Sequence, residues 1–269
     1  MISSNFHTHS VHCDGKDTPA DMAARADSLG FFALGFSGHR EAAFSNCTMT
    51  PESEGRYRRE IEALKKQYAG KMEIYCGVEQ DYYAGRRDGY YDYAIGSVHW
   101  IEKDGQYLCV DWSAERTREN IDRHYHGSAA AYAADFYALE AQVKVATGCD
   151  VIGHFDLITK FDDAQAIFSM EDPAYRAAVM QAVDALASPG TVFEINTGAM
   201  AKGYRTAPYP AVGILKELHR RKCAVMINSD CHDKSKLTFG FDAAVEAARA
   251  AGFTTHVVLK HGRWEELPL

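Results

Sequence analysis

Seven short apolar runs, each separated from the next by helix-like sequence, recur along the 269 residues of this chain. They fall at residues 2–6, 32–37, 73–78, 93–98, 151–153, 191–195 and 224–228, and a further short run at 255–259 lies near the C-terminus. The spacing predicts helices between them. Residues 19–29 follow Thr18 as an N-cap, with Pro19 at the first helical position, and 51–68 follow Thr50 in the same way. Residues 128–147 carry Tyr132, Phe136, Leu139 and Val143 at helical spacing, with Gly148 placed to end the helix. Residues 173–187, 209–221 and 241–251 complete the set. Strands alternating with helices imply an α/β fold with a parallel sheet. Seven units in one domain, without a linker or internal repeat, suit a barrel close to the eight-unit kind.

The chemistry lies just past the runs. The first is followed by His7, His9 and then Asp14, and the second by His39; the third ends in Glu79, the fourth in His99 and the fifth in His154. The sixth runs into Asn196, and the seventh is followed by Asp230 and His232. All but the sixth deliver a divalent-metal ligand at or beyond the C-terminal end, the end where barrels place their active sites. His7-Thr8-His9 has the period of a strand, so both imidazoles point the same way and can hold one ion. Asp230-Cys231-His232 repeats that geometry. Mixed imidazole and carboxylate ligands suit zinc, manganese or iron, and a carboxylate such as Glu79 can bridge two ions. Taken singly, each residue has a plainer role: a lone histidine after a strand is more often structural, Glu79 a capping carboxylate, Asp230 an N-cap. The coincidence at six of seven ends is what argues for a shared site.

Composition narrows the partners. A formal charge of -8 argues against broad nucleic-acid binding. It leaves a phosphorylated small molecule open, because carboxylates neutralised by divalent cations would give a locally positive field. The seven cysteines are scattered and contain no Cys-x-x-Cys pair, which supports neither a disulfide framework nor a zinc ribbon. No apolar stretch approaches the roughly 18 residues needed to span a membrane, and no signal peptide is visible at the N-terminus. A cytoplasmic protein without membrane association is the expectation.

The segments Phe6-His7-Thr8-His9-Ser10 with Cys13-Asp14-Gly15, Phe36-Ser37-Gly38-His39, Gly77-Val78-Glu79, Gly96-Ser97-Val98-His99, Gly153-His154-Phe155-Asp156 and Ser229-Asp230-Cys231-His232 resemble, in order, the motifs of the PHP (polymerase and histidinol phosphatase) superfamily. Glu194-Ile195-Asn196-Thr197, Lys202 and Tyr209-Pro210 add a likeness to its histidinol-phosphate phosphatases. The resemblance implies a single-domain distorted TIM-like (β/α)7 barrel over residues 1–269 with three divalent ions (Zn, Mn or Fe). By position, His7, His9, Glu79 and Asp230 would hold the first. Glu79 would bridge to a second held by His99 and His154. Asp14, His39 and His232 would hold the third, with His12 a rival to Asp14. Gly38 stands where the family commonly has aspartate, which would alter support for His39.

The implied activity is hydrolysis of a phosphate monoester, L-histidinol phosphate, in histidine biosynthesis, by attack of a hydroxide bridging two metals. Glu79, Asp230 and His232 are the catalytic candidates. Arg40, Lys160, Asn196, Lys202 and Arg205 are candidates for the substrate, and each basic residue has a solvated surface charge as its plain alternative. Asp156 and Glu194 could orient ligand histidines. Two rival readings remain at this stage: a phosphoesterase for nucleotides or single-stranded nucleic acid, which would show a basic groove and stacking aromatics, and a non-catalytic metal-binding interaction module. Oligomeric state is not legible.

Overall fold

The computed structural model describes residues 2–42 and 44–269. Seven parallel strands form one sheet in the order β1 (Ser4–Asn5), β2 (Ala33–Phe36), β3 (Glu73–Asp81), β4 (Tyr93–Ser97), β7 (Val151–Ile152), β8 (Val192–Asn196) and β9 (Ala224–Asn228). The sheet curls until its edges meet. A parallel bridge joins Thr8 to Cys231, the His9 amide donates to the Cys231 carbonyl at 2.9 Å, and the Phe6 amide donates to Asn228 Oδ1 at 2.8 Å. The expected (β/α)7 barrel is therefore the fold.

The crossovers are α1 (Pro19–Ser28), α2 (Pro51–Gln67), α3 (Ala114–Tyr125), α4 (Ala129–Glu140), α5 (Val143–Thr147), α6 (Asp162–Gln165), α7 (Pro173–Leu186), α8 (Gly198–Ala201), α9 (Val212–Arg220) and α10 (Phe241–Ala251). Local chemistry sets their ends. Thr18 accepts from the Asp21 amide at 3.1 Å. Thr50 and Ser53 form a reciprocal capping box, each side-chain oxygen accepting from the other's amide. Gly148, at φ 67°, ends α5 in the left-handed conformation that a side chain would penalise. The helix expected over 128–147 is broken at Ala141–Gln142 into α4 and α5.

Residues 99–127, unassigned from sequence, contain an antiparallel hairpin, β5 (Trp100–Lys103) with β6 (Gln106–Cys109), and then α3. The run near the C-terminus is not a barrel strand. It forms β10 (Thr255–Lys260), paired antiparallel with β11 (Arg263–Pro268). Val257, Val258 and Leu259 pack in one cluster with Phe6, Tyr93, Ile95 and Met226. The hairpin turn is tied to the start of β3, the His261 amide donating to Glu73 Oε2 at 2.8 Å. This leaves the opposite end, the C-terminal ends of the strands, open.

Tyr93 is the wedge between β1, β2 and β3. Its ring is fully buried, and its hydroxyl donates to the carbonyls of Phe6 (2.5 Å) and Phe36 (3.1 Å). Gly35 and Gly77 make room for it; a Cβ on Gly77 would lie 2.2 Å from the tyrosine ring.

Candidate metal centre

The open end of the barrel gathers the histidines and carboxylates from every strand that was expected to supply one. His9, Asp14, His39 and His232 each offer a ligand atom, all within 4.8 Å of one another; so do His7, His9 and Asp230, and so do His39, Glu79 and His99. His154 joins through Nε2, 3.0 Å from Glu79 Oε1.

Glu79 lies at the junction. Its Oε2 is 3.1 Å from His7 Nε2, 3.4 Å from His9 Nε2 and 3.0 Å from His39 Nδ1. Its Oε1 faces the other way, 3.4 Å from His99 Nε2 and 3.0 Å from His154 Nε2, and accepts from Ser97 Oγ at 2.7 Å. Asp230 Oδ1 is 3.1 Å from His9 Nε2 and 3.6 Å from His7 Nε2. Asp14 reaches His232 Nε2 at 3.3 Å, His9 Nδ1 at 3.6 Å and His39 Nε2 at 3.7 Å. His12 turns away and bonds Glu60 Oε2 at 2.8 Å.

Local backbone explains these positions. The turn from Ser10 to Gly15 folds so tightly that a Cβ on Gly15 would sit 2.4 Å from the Ser10 nitrogen, and this brings Asp14 back under His9. Asp230 adopts a left-handed backbone at φ 48°, a conformation that aspartate tolerates better than most residues. Gly198 leaves space beside it; a Cβ there would lie 2.8 Å from Asp230 Oδ2.

Surrounding acceptors orient the rings. His7 Nδ1 donates to Glu194 Oε1 at 2.6 Å, and Glu194 Oε2 accepts the His154 amide at 2.9 Å. His99 donates through its amide (3.0 Å) and through Nδ1 (3.2 Å) to Asp81 Oδ2. Asp156, the other suggested orienting residue, instead accepts from the Ala211 amide at 2.9 Å. Asp81 was not singled out from sequence. The signal was present: Glu79-Gln80-Asp81 has the same period of two as His7-Thr8-His9, and β3 continues through it.

The cluster fits divalent cations. His7 Nε2, His9 Nε2 and Glu79 Oε2 face one another and are buried without a hydrogen-bond partner, a costly state for polar atoms. With Nδ1 donating to Glu194, His7 turns Nε2 on Glu79 Oε2, and positive charge between the two, a proton or a divalent ion, makes that contact favourable. The carboxylates around His7 favour such charge: burial opposes it, yet Glu194, Glu79 and Asp230 hold the His7 pKa well above the ordinary value. Burial would raise the pKa values of Glu79 and Asp230, but the surrounding histidines keep both well below the carboxylate range. Burial and the neighbouring His232 and His39 lower His9 to about 3, leaving it neutral as a ligand must be.

The five substrate candidates separate. Arg40, Lys160 and Lys202 line the cavity above the cluster, which encloses about 1100 Å³ out to open solvent. Arg40 is paired with Glu54 (3.2 Å) and Asp88 (3.3 Å). Lys160 Nζ is bound to the carbonyl (2.9 Å) and carboxylate (2.8 Å) of Asp111. Arg205 folds onto the Tyr209 ring at 4.6 Å and donates to the carbonyls of Thr159 (3.0 Å) and Ala207 (3.2 Å), off the cavity wall. Asn196 lies beneath the cavity, its amide donating to Glu194 at 2.9 Å. Of the tyrosine group near β4, Tyr93 is core, while Tyr83 packs with Phe44 and Tyr107 beside the rim. Asp111, Trp100 and Trp112 also line the cavity and carried no motif that marked them in the sequence.

A parallel barrel with an imidazole–carboxylate cluster at its C-terminal strand ends defines a metal-binding α/β-barrel protein. A sequence profile of the PHP domain matches residues 5–198, and the chain belongs to that family. It is 27% identical over 270 residues to the histidinol-phosphatase of Bacillus subtilis, covering 91% of this chain and 99% of that protein. In structure it is similar to the histidinol phosphate phosphatase of Lactococcus lactis, solved with zinc, L-histidinol and phosphate. The TM-score is 0.72 at 18% identity, with 97% of this chain and 98% of that chain covered. Among the described residues, no helix is long and apolar enough to cross a membrane.

Proposed function

We propose that this chain is a metal-dependent phosphate monoester hydrolase that converts L-histidinol phosphate and water to L-histidinol and phosphate, a step of histidine biosynthesis. The observation that carries the reading is the division of Glu79: one carboxylate oxygen faces His7, His9 and His39, the other His99 and His154. A buried carboxylate shared between two sets of imidazoles suits a bridge between adjacent ions. The names of the Bacillus relative and of the Lactococcus neighbour support the substrate.

In this reading His7, His9, Glu79 and Asp230 hold one ion, Glu79, His99 and His154 a second, and Asp14, His39 and His232 a third, the metal being zinc, manganese or iron. Bound there, divalent ions supply activation of water and stabilisation of charge on the phosphoryl oxygens. The chain's own part is placement. Asp81 and Glu194 fix the tautomers and directions of His99 and His7. Asp230 and His232 flank the first and third positions, beside which a phosphoryl group would react. Lys202 and Arg40 bring positive charge to the cavity wall, where they can meet a phosphate as it enters. Lys160 holds the wall itself through Asp111.

The test is phosphate release by metal-loaded protein from L-histidinol phosphate, nucleoside monophosphates and short oligonucleotides side by side. The reading requires histidinol phosphate to be hydrolysed with the highest kcat/KM. Faster turnover of oligonucleotides, or a metal-loaded protein inert toward all three, overturns it.

A further inference from the structure

The hairpin β5–β6 starts immediately after His99 and returns to it, the Val110 amide donating to the His99 carbonyl at 3.0 Å. Its outer ring contacts are already made. Trp100 meets Phe44 edge-on at 5.3 Å, and Phe44 stacks on Tyr107 at 3.9 Å, joining the hairpin to the loop after β2. The chain then passes Asp111, whose carbonyl and carboxylate are both held by Lys160, and Ser113, whose hydroxyl caps α3 by accepting the Arg116 amide at 3.1 Å.

Between these two anchored residues stands Trp112. It lines the same cavity as His99 and His154, it is 64% exposed, and among the described residues it makes no ring contact. A large indole left uncovered on a pinned backbone, at the mouth of a cavity whose floor is polar, offers a flat apolar face to whatever occupies that mouth. We propose that Trp112 is a specificity-determining residue for the leaving alcohol: its indole packs against the planar heteroaromatic ring of a substrate whose phosphate lies on the metal-binding floor. The proposal rests on the phosphatase reading above and adds to it the surface that would select the alcohol. An imidazole, neutral or protonated, suits that surface, since an indole face accepts both stacking and cation–π contact.

The experiment compares kcat/KM for L-histidinol phosphate with kcat/KM for phosphoethanolamine, a phosphate monoester with an amine but no ring, in the metal-loaded full chain. The ratio of the two should fall about tenfold in Trp112→Ala, the loss of one aromatic contact, and return most of the way in Trp112→Phe. The exposure of Trp112 makes both variants compatible with folding, which circular dichroism and metal content check. An unchanged ratio in folded Trp112→Ala, or a ratio that Trp112→Phe fails to restore, overturns the proposal. Failure of the underlying reading looks different: the unmutated protein would then release no phosphate from L-histidinol phosphate, or would turn over oligonucleotides faster.

Discussion

Asp81 takes two hydrogen bonds from one residue, the amide and the Nδ1–H of His99, on a single carboxylate oxygen. The pairing holds the proton on Nδ1 and turns Nε2 toward Glu79, 3.4 Å away. Asp81→Asn keeps the shape and an oxygen to accept the Tyr83 amide, but it sets an NH2 donor where Oδ2 accepts both His99 bonds, so the Nδ1–H tautomer loses its acceptor. Metal affinity or kcat/KM should fall about 10- to 100-fold, read by elemental analysis after dialysis against a chelator series and by phosphate release. Unaltered metal retention and kinetics would show that the contact has no orienting role.

Truncating the rings on the Oε1 side of Glu79 should separate function from folding. His99→Ala and His154→Ala are expected to lower the metal content and abolish phosphate release while leaving the far-ultraviolet circular dichroism of the barrel intact. Full activity in either variant contradicts the assignment of those rings to a metal position.

Gly77→Ala places a methyl group inside the Tyr93 ring, 2.2 Å from its nearest carbon. The ring cannot simply move, because its hydroxyl is bound to two carbonyls on different strands. Overpacking at such a site costs about 1–3 kcal/mol or more, so the midpoint of denaturant unfolding should drop. Tyr93→Phe, which leaves the two carbonyls without that donor, should cost about 1–3 kcal/mol by the same measurement.

His256 gives a pH dependence away from the metal centre. Buried in β10 with Nδ1 lacking a partner, it is held by burial at about 4, below its ordinary value. The unfolded chain therefore binds a proton there before the folded chain does, and stability is lost as pH falls from about 6.5 toward 4. The full shift corresponds to roughly 3 kcal/mol. Urea unfolding of the metal-free protein between pH 4 and 6.5 should show a shallower slope in His256→Leu than in the unmutated chain; equal slopes would remove His256 as a cause.

The alternation of strands and helices, the helix starts at Thr18 and Thr50 and the placing of most candidate ligands at strand ends were legible in the linear order. Each depends on neighbours a few residues apart: a cap, a proline, a period of two. The hairpin after His99 and the charged helix α3 were not legible, because their stability comes from contacts with distant segments, such as Phe44 against Trp100 and Tyr107. Glu79 shows the same division within one residue. Its position at a strand end is a matter of local pattern, whereas which oxygen meets which histidine depends on the curl of the whole sheet.

By itself the sequence determined a barrel whose C-terminal face is dense in imidazoles and carboxylates. Only the tertiary structure decided that Asp14 joins His39 and His232 while His12 leaves for Glu60, that Arg205 folds onto Tyr209 instead of lining the cavity, and that Asp81 and Trp112 reach the site. The reason is geometric. Residue order sets where a side chain leaves the backbone, but its direction and partners are settled by groups brought near it through closure of the barrel.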